Sequence, residues 1–392
     1  MKLKIPLLIC CFFNLALIAD TQIEEIITTG SILNNPVENS SPLDIIDQGD
    51  LEDLNIITIG EISKYITSST GSQFQTNALD GTDQGMSSIT LRGLDHTSTL
   101  VLINSKRQTS AGTTSNEGEG YVDINIIPQI ALKQVHILKE GATAAYGSDA
   151  ISGVVNFLTQ DDFEGVKLNL NQQKTTNFNQ RDSSLGILFG KKYDDSNLVF
   201  AIDYIDRSPL NASEIPGIAE LGLSTLGNSF KVSADDVVDS GVYQGSYSEN
   251  QWVADPNCIS NGGILAGSFC KFLYGERFNI INTEEHIKSY LSYKFDTGSY
   301  QSKTTLMYAD ISVKDNPQSP SYPALSFLSR KIQPGIGGSP FNVPVTWYGR
   351  PLGSAYPSPN SPKDISQYHL SHVINFDVNE ISDIEISITN SR

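Results

Sequence analysis

The stretch VHILKEGATAAYGSDAISGVVNFLT, residues 135–159, reads as two strand-forming runs around a turn-rich middle. Val135 to Leu138 and Val154 to Leu158 are β-prone, while Gly141, Gly147 and Gly153 interrupt the stretch where a tight turn or a close backbone approach would exclude a Cβ. Substituting these glycines is expected to misfold the domain that holds them. Working outward, Asp50 to Tyr65 reads as short helical pieces with apolar residues three and four apart, and Ile89 to Leu91 and Leu100 to Ile103 read as further strands. Residues 42–160 are therefore expected to form a small α+β domain, with much of 31–120 in loops rich in Ser, Thr, Asn and Gly.

After about residue 161 the texture changes to long alternating strands separated by polar segments of unequal length. In His286 to Asp296, Ile287, Leu291, Tyr293 and Phe295 share one face, while His286, Lys288, Ser292, Lys294 and Asp296 share the other. The same alternation marks Val166 to Leu170, Leu198 to Tyr204, Thr305 to Val313, His369 to Val378 and Ile384 to Thr389. A soluble β-sandwich alternates in this way too. Strands of about ten residues, with turns as short as 192–197 and loops as long as 208–282, favour an antiparallel transmembrane β-barrel.

The chain has 392 residues, 39% of them hydrophobic and 18% charged, which excludes a bundle of membrane-spanning helices. With 26 basic against 44 acidic residues, the net charge of −18 gives no footprint for nucleic acid. Lys2 and Lys4 precede an apolar run to Ala19, the order of a secretory signal cut after Ala19; a buried N-terminal helix is the other reading. Cys10 and Cys11 would leave with residues 1–19, and Cys258 and Cys270 would remain. In an exported chain these two form a local disulfide most simply, with a metal or redox pair as the alternative. The β-prone Ile23-Glu24-Glu25-Ile26-Ile27-Thr28-Thr29 segment is either a disordered leader or a strand waiting for a partner's sheet.

Enzyme signatures are absent: there is no His-Glu-x-x-His, Gly-x-Ser-x-Gly or Gly-x-x-x-x-Gly-Lys. His369 and His372, three apart on a strand, point to opposite faces and read as unrelated surface residues. Gly335 to Ser339 reads as a loop. No catalytic activity, metal site or cofactor is expected.

Ser88-Ile89-Thr90-Leu91-Arg92-Gly93-Leu94, Leu100 to Asn104, and above all residues 135–159 with Tyr146 and Asn156 resemble the plug of TonB-dependent outer-membrane receptors. The resemblance is specific over about residues 23–160 and rests on strand texture beyond. It implies an α+β plug (42–160) and then the first part of an outer-membrane β-barrel (161–392), preceded by a TonB-box region and linker (20–41). It also implies that Ile23 to Thr29 is the box to which TonB, energised by ExbB and ExbD, adds a strand and pulls. In this family an arginine like Arg92 contacts acidic residues of the barrel wall; a solvent-facing Arg92 is the alternative. Cys258 to Cys270 resembles a disulfide-closed extracellular loop. The implied partners are outer-membrane lipid and a scarce ligand of the siderophore, cobalamin or oligosaccharide class. Lys139-Glu140, where many relatives have Arg-Gly-Pro, weakens the expectation of a siderophore of the usual kind. A family barrel has about 22 strands, against roughly seven here, so a truncated product or the first part of a split reading frame is expected. A secreted β-sandwich binding module and a non-transporting plug fragment are the alternative functions.

Overall fold

The computed structural model describes residues 43–70, 72–74, 85–115, 118–224, 227–277, 279–314, 329–349, 360, 362–379 and 382–392. Its first domain opens with β1 (Leu43–Ile46) and α1 (Gln48–Asp53). The Asp47 carboxylate accepts the Asp50 amide at 2.9 Å, and Asp50 returns the bond to the Asp47 amide at 3.2 Å. This capping box starts a helix too short to start itself. A 3₁₀ turn follows over Ile59–Lys64, so this stretch forms short helical pieces, as its spacing implies.

Four more strands complete the domain's sheet: β2 (Thr99–Ile103), β3 (Lys106–Arg107), β4 (Leu132–Leu138) and β5 (Gly153–Thr159). Their order is β1-β4-β5-β2-β3. β2 and β5 run parallel and the other neighbours antiparallel. Ile59, Ile62, Leu91, Ile103, Ile126, Val135 and Phe157 are all buried in the apolar core. Ile89 to Leu91 departs from expectation. Ser87–Ser88 is the short strand there, and Leu91 makes only an isolated bridge to Ser69. The Thr90 amide is taken by the Ser72 hydroxyl at 2.9 Å. Arg92 and Gly93, at φ +58° and +66°, then turn the chain away.

A seven-stranded antiparallel sheet follows the domain. It runs in chain order through β6 (Gly165–Lys174), β7 (Arg181–Lys192), β8 (Ser196–Arg207), β9 (Glu284–Asp296), β10 (Tyr300–Val313), β11 (Lys363–Asn379) and β12 (Ser382–Ser391). Parity decides what it is. In β9, Ile287 is 47% exposed and its neighbour Lys288 1%. Leu168, Phe189, Phe200, Leu306, Leu370 and Ile386 likewise stand exposed on the outside, while Asp203, His286, Thr305 and Ser371 are buried on the inside. A sandwich buries its apolar face; this sheet exposes it and turns its polar face inward, the arrangement of a barrel wall in lipid. No described helix is long and apolar enough to cross a membrane.

The first domain packs against the inner face of this wall. Gly186 of β7 makes the approach possible: a Cβ there would lie 3.1 Å from Ile130 of the first domain. The segments joining β8 to β9 and β10 to β11 leave from one end of the wall, called here the rim.

Candidate functional site

Among the described residues, most of the buried charge lies at the boundary between the first domain and the wall. Nearest the rim, Arg207 of β8 is 3% exposed. Its Nε and Nη2 grip the two Asp182 oxygens of β7 at 3.1 Å each, a fork-to-fork pair. Glu61 of the 3₁₀ turn and Glu284 of β9 each lie 3.7 Å from the same guanidinium. Glu284 also meets His286 Nε2 at 3.1 Å. A carboxylate of the domain and two of the wall thus share one cation out of water. Removing that cation would strand three charges where stranding is costly.

Deeper, Asp203 of β8 accepts the Ile130 amide at 3.2 Å, and the buried Lys288 of β9 interacts with both Asp203 and Asp123. Asp123 joins three segments. One oxygen accepts the amides of Ser87 at 2.9 Å and Asn125 at 3.0 Å, and the other accepts from Gln367 of β11. Burial raises the Asp123 carboxyl above the usual carboxylate range, against the pull of the Ser87 and Asn125 amides and of Lys288. Farther along, Tyr290 of β9 donates to the Gln160 carbonyl at 2.6 Å, and Lys303 of β10 pairs with Asp161 at 2.7 Å. Gln108 bonds His369 of β11 at 2.7 Å. His369 is therefore a buried boundary residue, not a surface one; His372, on the other face, bonds Thr304.

Several of the residues singled out from sequence gather on the domain's own hairpins. Gly153 sits at φ +138°, where a Cβ would collide with the Leu138 carbonyl oxygen and come within 2.8 Å of Leu91. Gly147, at φ +88°, ends α2 (Thr143–Tyr146), and a Cβ on Gly141 would lie 3.0 Å from the Ile151 carbonyl oxygen. The Tyr146 carbonyl accepts from Arg107 at 2.6 Å. Asn156, wholly buried, accepts the Ser105 amide at 2.9 Å and donates to the Ser105 hydroxyl at 3.1 Å. That pins the β2–β3 turn, where Asn104 and Ser105 both take positive φ. Arg92 corrects the expectation of carboxylate partners. Its Nε and Nη2 donate to the carbonyls of Ser152 and Ile151 at 3.1 and 2.8 Å, and no ion pair to it is found among the described residues. The positive φ at Arg92 and Gly93 folds the side chain back onto the β5 approach. At the rim, Cys258 and Cys270 are joined in a disulfide. Residues 1–19 and the segment Ile23 to Thr29 lie outside the described residues.

Residues 35–154 match the family model of the TonB-dependent receptor plug domain. The first domain is a TonB-dependent receptor plug. The iron-regulated outer membrane virulence protein of Vibrio cholerae is 29% identical over 141 residues, 36% of this chain and 20% of that one. The vitamin B12 transporter BtuB of Vibrio vulnificus is 31% identical over 125 residues, 31% of this chain and 18% of that one. The chain thus matches only about a fifth of each relative's length. Among solved structures, the siderophore receptor PirA of Acinetobacter baumannii aligns at TM-score 0.41 and 17% identity, over 89% of this chain and 47% of that one. A plug seated against a wall that is apolar outside and polar inside belongs to the outer membrane.

Glu61, Asp123, Gln160, Asp182, Arg207 and Lys288 were not singled out from sequence as site residues. Lys288 alone carried a signal, a charged residue on the polar face of an alternating strand, while Glu61, Asp123 and Gln160 lie outside such strands. That pattern says nothing until the inside of the wall is known.

Proposed function

We propose that this chain carries out energy-coupled uptake across the outer membrane as a TonB-dependent receptor, and that no catalysis is involved. On this reading residues 20–41 hold the TonB box and linker, 42–160 the plug, and 161–392 the first wall strands. TonB, driven by ExbB and ExbD, would add a strand at Ile23 to Thr29 and draw the plug aside. The ligand class is siderophore, cobalamin or oligosaccharide. The acidic, tyrosine-bearing stretch from Asp235 to Trp252 at the rim would face it first.

One observation carries the proposal: the plug meets the wall through buried hydrogen bonds and shared charges beside its apolar contacts, while the wall meets its surroundings through aliphatic and aromatic side chains. Polar bonds inside a protein can be exchanged for bonds to water at a net difference of only about 1 kcal/mol each. A stopper held in this way can be shifted and reseated. The exposed apolar face also disfavours a secreted β-sandwich, which would hold that face against its second sheet.

The test is Ile26→Pro, which removes a ladder donor and fixes φ in the proposed box. Labelled cobalamin, a ferric siderophore and a maltodextrin would be offered to cells carrying the natural or the altered chain. The expected result is uptake of one of the three by the natural chain, and binding without uptake by the variant. Undiminished uptake by Ile26→Pro would remove the box assignment.

A further inference from the structure

Two long segments leave the rim: residues 208–283 join β8 to β9, and residues 314–362 join β10 to β11. Their described parts do not fold separately. A four-stranded antiparallel sheet stands above the rim in the order Trp252–Ala254, Ser229–Val232, Val345–Tyr348, Ser329–Ile332. Its two central strands come from different segments. Ser229 lies opposite Tyr348, Phe230 opposite Trp347, Lys231 opposite Thr346 and Val232 opposite Val345.

Side chains repeat the union. Phe341 of the second segment packs among Phe230, Tyr243 and Tyr247 of the first, with ring centroids 5.4 to 5.6 Å apart. Around it Val232, Val238 and Val345 are buried, a small core supplied from both sides. Asn342 donates its amide to Asp236 at 2.9 Å and its side chain to the Val237 carbonyl at 2.8 Å. The Ser233 amide donates to the Pro344 carbonyl at 3.1 Å. Trp252 stacks between Phe269 of its own segment and Tyr348 of the other, at 4.9 and 4.8 Å. The disulfide loop hangs from the same sheet, since the Cys270 amide donates to the Ser229 hydroxyl at 2.9 Å.

Parting the two segments would break a central ladder and open an aromatic core in one event, which is what makes a group of strands behave as one cooperative unit. We propose that residues 229–254 and 329–349, described parts of the two long rim segments, form a single folded lid, so that any displacement of one part carries the other with it. A ligand touching either segment would then act on both. The proposal goes beyond the uptake reading and stands on the ladder alone, so it survives if uptake is not found.

Pulsed electron resonance on the full chain in outer-membrane vesicles tests it. Nitroxides on Ser246→Cys and Gln333→Cys, both exposed, report the distance between the segments. Nitroxides on Ser246→Cys and Leu221→Cys report a distance within the first segment. The expected outcome is a single between-segment distance no broader than the within-segment one. A two-peaked distribution, or one markedly broader than the reference, would overturn the single lid.

Discussion

Inside the plug, Ile59, Ile62, Leu91, Ile103, Ile126 and Phe157 fill the core. At the plug's boundary with the wall, positions just as dry hold Arg207, Glu284, His286, Lys288 and Asn125. Apolar contact crosses the boundary as well, through Leu188, Val199, Ala201, Tyr290, Met307 and Ala309 of the wall and through Ile311 and Ile365, which pack with Met86 and Tyr121 of the plug. Both regions exclude water, and the difference lies in what happens when water returns. A wetted apolar core loses roughly 25 cal/mol for each Å² exposed, whereas a wetted hydrogen bond is largely replaced by a bond to water. The plug is built to keep its own shape more firmly than it keeps its place.

The sharpest way to break this comparison is Gly153→Ala. The added carbon would strike the Leu138 carbonyl at a φ of +138°, and the overpacking and backbone strain together should cost about 4 kcal/mol. Hydrogen exchange in membranes should show β4 and β5 losing protection; unchanged protection there would mean the core is not the firmer region. Arg207→Ala should cost about 3 kcal/mol by leaving Asp182, Glu61 and Glu284 without their cation. Its effect should stay at the boundary, with faster exchange in Ile59–Lys64 and at the rim ends of β7 to β9. Equal loosening of β2 and β5 would show that the two regions cannot be separated. Asp123→Ala leaves the Ser87 and Asn125 amides and the Gln367 side chain without an acceptor, a loss of about 2 kcal/mol. Exchange at the Ser87 and Asn125 amides is the measurement.

The smallest effect is expected at Asp149, whose pairing with Arg107 lowers its carboxyl below the usual range. A carboxylate stabilised in this way contributes above its unfolded value and loses that contribution as pH falls through the lower, folded value. Because both partners are half exposed, Asp149→Asn should change plug stability by only a few tenths of a kcal/mol. That small difference between the natural chain and Asp149→Asn should disappear on acidification below about pH 4, near the ordinary value for aspartate. A large change would mean that a surface pair rivals the boundary.

The plug's sheet was legible because β2, β4 and β5 are short apolar runs set off by glycines whose role is local. The wall strands were legible from period two alone. Which face of them is inside was not, since alternation is identical in a sandwich and a barrel. For the same reason Arg207 and Lys288 looked like ordinary solvated positions. Arg92 was misread because a turn at positive φ leaves no trace in residues that otherwise suit a strand. The lid was invisible for another reason: Ser229 and Tyr348 meet across more than a hundred residues, and no local pattern encodes a pairing so distant.

The position of β1 has a mechanical consequence. This four-residue strand lies at the margin of the plug sheet with a single neighbour, β4, and α1 follows it directly. A tension applied ahead of Leu43 would load that margin first, and the antiparallel ladder from Leu43–Leu138 to Ile46–Val135 would unzip before any force reached the parallel β2–β5 pair. Unravelling would then have a fixed sequence, from periphery to centre.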